Sequence, residues 1–122
     1  MNRPQAIPQL DPLYADIRLR DPLRPALLLD VRERDEFAAV RVEGCLFIPM
    51  SQLGARVQDV PRDRPVIVLC ASGSRSASAA SFLLGQGFED VGNVAGGIDF
   101  WQRLGLPVKH GPVEPGEGQL PG

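Results

Sequence analysis

The chain has 122 residues, which is enough for one domain with a hydrophobic core and too few for two domains of ordinary size. Hydrophobic residues make up 43% of it and charged residues 23%, the proportions of a soluble globular protein. The net charge of −2 gives no support for binding nucleic acid or an anionic membrane surface, so we expect neither partner.

The sequence also favours a reducing compartment. No apolar run approaches the length of a membrane span, and residues 1–10 lack the apolar core of a signal peptide, so we expect a cytoplasmic protein. The two cysteines, Cys45 and Cys70, do not make a disulfide framework. With His110 as the only histidine, soft ligands are too few for a zinc site, and we expect no metal and no other cofactor.

The first part of the chain predicts a lead-in followed by a helix. Residues 1–10 hold two prolines and little pattern, which is typical of an extended segment. Asp11 can cap a helix that has Pro12 at its first position. The apolar face of this helix is predicted to comprise Leu13, Ile17 and Leu19.

Four apolar runs then predict strands, and helical stretches separate them. The predicted strands cover residues 26–30, 45–48, 66–69 and 91–95. The predicted helices are 32–40 with Phe37 and Val40 facing inward, a short one capped by Ser51, one opened by Arg75 and Ser76, and 98–104. Strands that alternate with helices favour parallel pairing and right-handed crossovers. We therefore predict a three-layer α/β domain with a central parallel sheet flanked by helices.

Composition divides the chain into three parts. Eight of the sixteen residues from 107 to 122 are Pro or Gly, and the apolar residues among them are isolated. We expect an extended lead-in over residues 1–10, a domain over 11–106 and a largely irregular tail over 107–122.

Cys70 stands where a predicted strand gives way to a helix. The four residues after it are small (Ala71, Ser72, Gly73, Ser74), and no acidic residue follows before Gln86. Because the first amides of a helix lack intrahelical partners and the macrodipole favours negative charge, such a loop suits a thiolate and a bound anion. Inert packing is the usual alternative for a cysteine. Ligands of open α/β sheets, however, bind beyond the carboxyl ends of strands, so we predict that Cys70 is reactive.

Three charged residues lie near this predicted site. Arg75, one turn from the sulfur, could lower the pKa of Cys70 and bind an oxyanion, or could be an ordinary surface cation. Asp30 and Arg32 follow the neighbouring strand, where a structural ion pair is favoured over contact with substrate. Since the only histidine lies in the tail, a Cys–His dyad is not expected, and the chemistry is restricted to anionic substrates or sulfur anions.

Three segments of the chain, taken together, resemble the rhodanese-like sulfurtransferase family. LLLDVRERDEF at 27–37 resembles the family's DVRE…EF segment, and VRVEGCLFIPMSQL at 40–53 resembles its GHIPGAxxIP…L segment. CASGSRS at 70–76, followed by NVAGGIDFW at 93–101, resembles its active-site loop and GGxxxW signature. The chain departs from the pattern where Val40 and Arg41 replace the usual Gly-His and Cys45 replaces the usual Ala.

The resemblance implies a single rhodanese domain in which Cys70 forms a persulfide. It implies a small anionic donor such as thiosulfate, and cyanide, a thiol or a protein as the acceptor of sulfur. The loop amides and the Arg75 side chain would hold the persulfide or the oxyanion of the donor. The implied substrate-binding residues are Ala71, Ser72, Gly73, Ser74, Arg75 and Ser76, with Asp30 and Arg32 behind them.

Two other functions stay open on the sequence. Many rhodanese-like domains act only as binding or regulatory modules, so the chain could be a non-catalytic module or a sulfur carrier, although those modules have lost the cysteine. A cysteine phosphatase is the third possibility. Phosphatase-like relatives place five residues between Cys and Arg, whereas four separate Cys70 from Arg75, which is the sulfurtransferase form of the loop.

Overall fold

A parallel sheet of five strands forms the centre of the computed structural model, which describes residues 6–121. The strands are β1 (Gln9–Leu10), β2 (Leu27–Asp30), β3 (Leu46–Phe47), β4 (Val66–Leu69) and β5 (Val91–Val94). Their spatial order is β1-β5-β4-β2-β3, and every pair is parallel. Strands β2 to β5 are buried along their whole length, as expected of a sheet with both faces covered.

Helices cover both faces of this sheet. They are α1 (Pro12–Leu19), α2 (Arg34–Ala39), α3 (Met50–Leu53), α4 (Ser74–Gly85) and α5 (Gly97–Arg103), with a 3₁₀ turn at Val57–Asp59. Successive residues of β4 alternate between two clusters, so that Val68 packs with Leu83 of α4 and Ile67 packs in the cluster of Trp101 of α5. The predicted three-layer α/β class is confirmed. Within residues 6–121, no helix is both long and apolar enough to cross a bilayer.

The predicted start of α1 is correct, but only Leu19 of its predicted apolar face packs against the core. The Asp11 carboxylate accepts the Leu13 N–H at 2.8 Å, with Pro12 as the first helical residue. Leu13 and Ile17, however, are 50% and 59% exposed, whereas Pro12 and Ala15 are buried. Ala15 shares a cluster with residues of α5, because a small side chain lets the two helices approach and leaves the larger ones in solvent.

Smaller differences concern α2 and α3. Ser51 is not the cap of α3, which begins at Met50 after Pro49; the fixed φ of Pro49 (−56°) and its missing N–H suit the position before a helix. Phe37 is buried as predicted. Val40 is only partly buried, because α2 ends at Ala39 and Val40 is already extended.

Both ends of the described part of the chain contact the sheet. Gln9 and Leu10 of the predicted lead-in form β1, in register with Asn93 and Val94; residues 1–5 lie outside the described residues. The described part of the tail is irregular apart from an isolated bridge at Lys109, yet it accepts the Phe47 N–H at Gly118. The division into lead-in, domain and tail stays a prediction. The structure shows that residues of the predicted lead-in and of the predicted tail form hydrogen bonds with the domain.

A buried ion pair attaches the tail to the domain. The side chain of Arg41 is buried (1% exposed), and its guanidinium donates hydrogen bonds to both carboxylate oxygens of Glu117, at 2.5 and 2.9 Å. Its guanidinium also donates to the carbonyls of Gly111 and Pro112, at 3.0 and 3.1 Å. The hydrogen bonds from Arg41 lower the pKa of Glu117 to about 2.

The first turn of α5 holds the backbone at the end of β4. The N–H groups of Ile98 and Asp99 donate to the carbonyls of Cys70 and Ala71, at 2.9 and 3.1 Å. Gly97 has a φ of +63°, and a Cβ there would lie 2.5 Å from the carbonyl oxygen of Cys70. This close approach requires glycine.

Replacing Glu117 by Gln should weaken the attachment of the tail in a pH-dependent way. A carboxylate with a depressed pKa stabilises the fold fully above its usual value of 4.5, and this contribution is lost as the pH falls to about 2. We expect Glu117→Gln to lower the urea midpoint at pH 7 and the difference from wild type to shrink between these pH values. Glu114→Gln, at an exposed pair with Lys109, is the control. A difference that stayed constant over this range would refute the assignment.

Gly97→Ala should destabilise the fold by about 3 kcal/mol, since it combines a disfavoured φ with a collision against backbone. Gly85→Ala is the matched control, because a Cβ at Gly85 meets nothing within 4 Å. The control should stay within about 1 kcal/mol of wild type. Urea unfolding followed by circular dichroism measures the stability of both variants. Equal stabilities of Gly97→Ala and Gly85→Ala would contradict the close approach at Gly97.

Candidate active site

Cys70 directly follows β4 at the carboxyl edge of the sheet, and a short loop leads from it into α4. Gly73 turns this loop with a φ of +104° in the left-handed region. The positive φ favours glycine, and a Cβ at Gly73 would also be crowded, at 3.2 Å from the backbone nitrogen of Gly96. The turn directs the Gly73 N–H at the Cys70 sulfur, with 3.1 Å between N and Sγ.

Hydrogen bonds to this sulfur favour its thiolate form in spite of its burial. Burial alone would raise the pKa of Cys70. The Ser76 hydroxyl, 3.2 Å from Sγ, and the N–H groups of Ser76, Gly73 and Ser72 together outweigh burial. The pKa of Cys70 therefore lies below its ordinary value, because of the Ser76 hydroxyl first and then the backbone N–H groups at the start of α4.

The sulfur is covered in the structure. Cys70 is 0% exposed, whereas Ser72 and Ser74 on the loop above it are exposed. A sulfur donor therefore reaches Sγ only after the loop or the neighbouring side chains move.

Arg75 is paired with an acid on α2, and its role in binding an oxyanion stays a prediction. Its Nη1 and Nη2 donate to the two carboxylate oxygens of Glu36, at 2.7 and 2.8 Å. The side-chain hydrogen bonds from Arg75 lower the pKa of Glu36 to about 2, so the pair is fully charged at neutral pH. Glu36 lies 39 positions away in the sequence, and only the fold brings it to Arg75.

Asp30 and Arg32 form a buried ion pair at the end of β2. The closest contact is 2.7 Å, from Nη2 of Arg32 to Oδ2 of Asp30. Arg32 also donates to the carbonyls of Glu36 and Val40, at 3.2 and 2.7 Å. The pair thus fixes the position of α2, and through α2 that of the Glu36 carboxylate.

Asn93 of β5 is a site residue that the sequence reasoning missed. It is 1% exposed and lies beside the Cys70 loop. Its Nδ2 donates to the Gly73 carbonyl at 3.0 Å and to Oε1 of Gln9 at 2.9 Å, while its Oδ1 contacts the Ser76 hydroxyl. The available signal was a polar side chain inside an otherwise apolar strand.

Cys45 and His110 are remote from this chemistry. Burial raises the pKa of Cys45 to about 12, which makes its thiol inert. The strand register places Cys45 at the level of Ile67 in β4, which is three residues before Cys70. The two cysteines are therefore separated by about 10 Å along the strands and, across two strand spacings, by about 10 Å perpendicular to them. The two thiols also belong to clusters on opposite faces, so they are not a redox pair in this fold. His110 is exposed in the tail.

Comparison with known proteins agrees with this geometry and with the motifs in the sequence. The family model for the rhodanese-like domain matches residues 13–104. A sulfurtransferase of Allochromatium vinosum is 40% identical over 82 residues, covering 67% of this chain and 77% of that protein. Thiosulfate sulfurtransferase GlpE of Actinobacillus succinogenes is 40% identical over 84 residues, covering 69% and 76%.

A solved structure gives the same result for the fold. A rhodanese-related protein of Thermoplasma volcanium superposes with a TM-score of 0.73 at 33% identity, covering 84% of this chain and 97% of that one. The resemblance predicted from the motifs is confirmed: this chain belongs to the rhodanese-like domain family.

Proposed function

We propose that the chain is a sulfurtransferase in which Cys70 carries the transferred sulfur as a persulfide. The observation that supports this most directly is the Gly73 N–H directed at Sγ, together with the lowered pKa of Cys70. Relatives named sulfurtransferase over the same domain favour the same reaction. A cytoplasmic location belongs to the proposal, since Cys45 and Cys70 are both free thiols.

The proposed reaction has two steps. The Cys70 thiolate attacks the outer sulfur of thiosulfate; a bond forms between Sγ and this sulfur, the S–S bond of thiosulfate breaks, and its electron pair leaves with sulfite. A nucleophilic acceptor then attacks the outer sulfur of the persulfide and restores the thiolate. Cyanide becomes thiocyanate in this way, and a thiol or a protein cysteine becomes a persulfide. Loop amides oriented before the reaction stabilise the negative charge at each stage.

The pairing of Arg75 bears on the choice of donor. Thiosulfate is a dianion, and the Glu36 carboxylate already occupies both terminal nitrogens of Arg75. Binding of thiosulfate at this guanidinium requires that the pair opens or that Glu36 and the dianion share the same cation. A small anionic donor therefore binds weakly.

A second candidate function, a sulfur carrier served by protein partners, is favoured by the same observation and by the covered sulfur. A protein surface can open the loop by docking and can deliver a neutral thiol persulfide. Turnover with thiosulfate and cyanide separates the two: rapid turnover supports the enzyme, whereas persulfide loading without turnover supports the carrier.

Cys70→Ser should abolish sulfur transfer, with a loss on the order of 10³-fold or more in turnover. Intact-mass spectrometry after incubation with thiosulfate should show the gain of one sulfur atom on wild type and none on this variant. Cys45→Ala is the matched control and should load sulfur like wild type, because its thiol is inert. Sulfur loading that persisted in Cys70→Ser would refute the assignment.

Glu36→Gln should improve the use of thiosulfate. The amide oxygen can still accept the Glu33 N–H (2.9 Å in the wild type), but the charge that neutralises Arg75 is removed. We expect KM for thiosulfate to fall about fivefold at low salt with little change in kcat, and the gain to shrink as salt screens the charge.

Asp35→Asn, which removes one charge from the same helix without touching the pair, is the control for Glu36→Gln and should leave KM almost unchanged. A KM that rose or stayed the same in Glu36→Gln would contradict the role given to this pair.

A further inference from the structure

The Ser76 hydroxyl lies between two groups that both accept hydrogen bonds. Its Oγ is 3.2 Å from Sγ of Cys70, and it also contacts Oδ1 of Asn93. All three side chains are buried. A serine hydroxyl carries one proton, so at any moment it can donate to the sulfur or to the amide oxygen but not fully to both.

The orientation of the Asn93 amide follows from its other contacts. One end of the amide faces the Gly73 carbonyl at 3.0 Å and Oε1 of Gln9 at 2.9 Å. A backbone carbonyl can only accept, so the NH₂ group must face it and the oxygen must face Ser76. Both N–H donors of Asn93 are then used, and its oxygen has the Ser76 hydroxyl as donor.

We propose that Asn93 is a positioning residue that holds the Ser76 hydroxyl proton away from Cys70 until the sulfur is negatively charged. The hydroxyl is then a switch with two positions, one toward Asn93 and one toward Sγ. This inference rests on the proposed function only where it concerns the persulfide.

The switch follows the charge on the sulfur. In the thiol form, the Cys70 S–H donates to Oγ of Ser76, and the hydroxyl donates to Asn93. When the thiol proton leaves to solvent, the hydroxyl turns to the thiolate, and the buried Asn93 oxygen loses its donor, which costs free energy. When a persulfide forms, the negative charge moves to the outer sulfur, Sγ becomes a neutral bridging atom, and the hydroxyl returns to Asn93. Asn93 thus opposes the thiolate and favours the loaded form.

Charged groups around the loop do not account for the predicted effect of Asn93 on the pKa of Cys70. Those packed near it are Arg75 from α4 with its partner Glu36 from α2, Glu33 at the start of α2, Asp99 at the exposed start of α5, and the buried Asp30–Arg32 pair at the end of β2. Substitutions at Asn93 and Ser76 leave all of these charges in place, so their contributions cancel in a double-mutant cycle.

The test is a cycle of Asn93→Leu and Ser76→Ala, read as the pKa of Cys70. The rate of alkylation by iodoacetamide is measured against pH, and mass spectrometry identifies Cys70 as the modified residue. With Ser76 present, Asn93→Leu removes the competing acceptor; in the Ser76→Ala background there is no hydroxyl to release. We expect Asn93→Leu to lower the pKa of Cys70 by about half to one unit more in the first background than in the second.

Equal shifts in the two backgrounds would overturn the proposal, because Asn93 would then act only through its bond to the Gly73 carbonyl. Asn93→Ala is the second variant, for which the same coupling is expected if Asn93→Leu does not fold. Ser76→Thr keeps the hydroxyl and should restore the coupling that Ser76→Ala removes. Since alkylation needs no sulfur donor, failure here is distinct from failure of the proposed sulfur transfer.

Discussion

The hydrogen bonds from the Ser76 hydroxyl and the backbone at the start of α4 to the Cys70 sulfur are the interaction on which the rest of the site depends. Three features of the fold produce them: β4 ends at Cys70, Gly73 reverses the chain with a positive φ, and the first turn of α5 fixes the carbonyls of Cys70 and Ala71. A sulfur anion is stabilised here by fixed dipoles. The proposed sulfur transfer therefore needs no imidazole of the kind that cysteine proteases use.

Charged side chains serve mainly to position the elements around this sulfur. Asp30 and Arg32 fix α2, α2 presents Glu36, and Glu36 holds Arg75 at the start of α4. The guanidinium predicted to attract an anion is thus part of a chain of ion pairs. This arrangement supports the proposed sulfur carrier served by protein partners over tight binding of a doubly charged small molecule.

Local sequence patterns predicted the fold and the place of Cys70 directly after β4, because apolar runs and small loop residues are properties of neighbouring residues. Partners distant in sequence were not predictable: Glu36 for Arg75, 39 positions away, and Glu117 for Arg41, 76 positions away. The role of Asn93 depends on the register of β5 beside the loop, and the burial of Ala15 in place of Leu13 depends on how closely α1 approaches α5. These features depend on tertiary packing, so the residues next to each position in the sequence do not predict them.

The most direct measurement of the central claim is the pKa of Cys70 in the wild type and in Arg75→Ala, from the pH dependence of alkylation at this residue. If the Ser76 hydroxyl and the loop amides stabilise the thiolate, the pKa lies below the ordinary cysteine value in both proteins, and the loss of the guanidinium changes it little. An ordinary pKa in the wild type, or a return to the ordinary value in Arg75→Ala, would contradict the account.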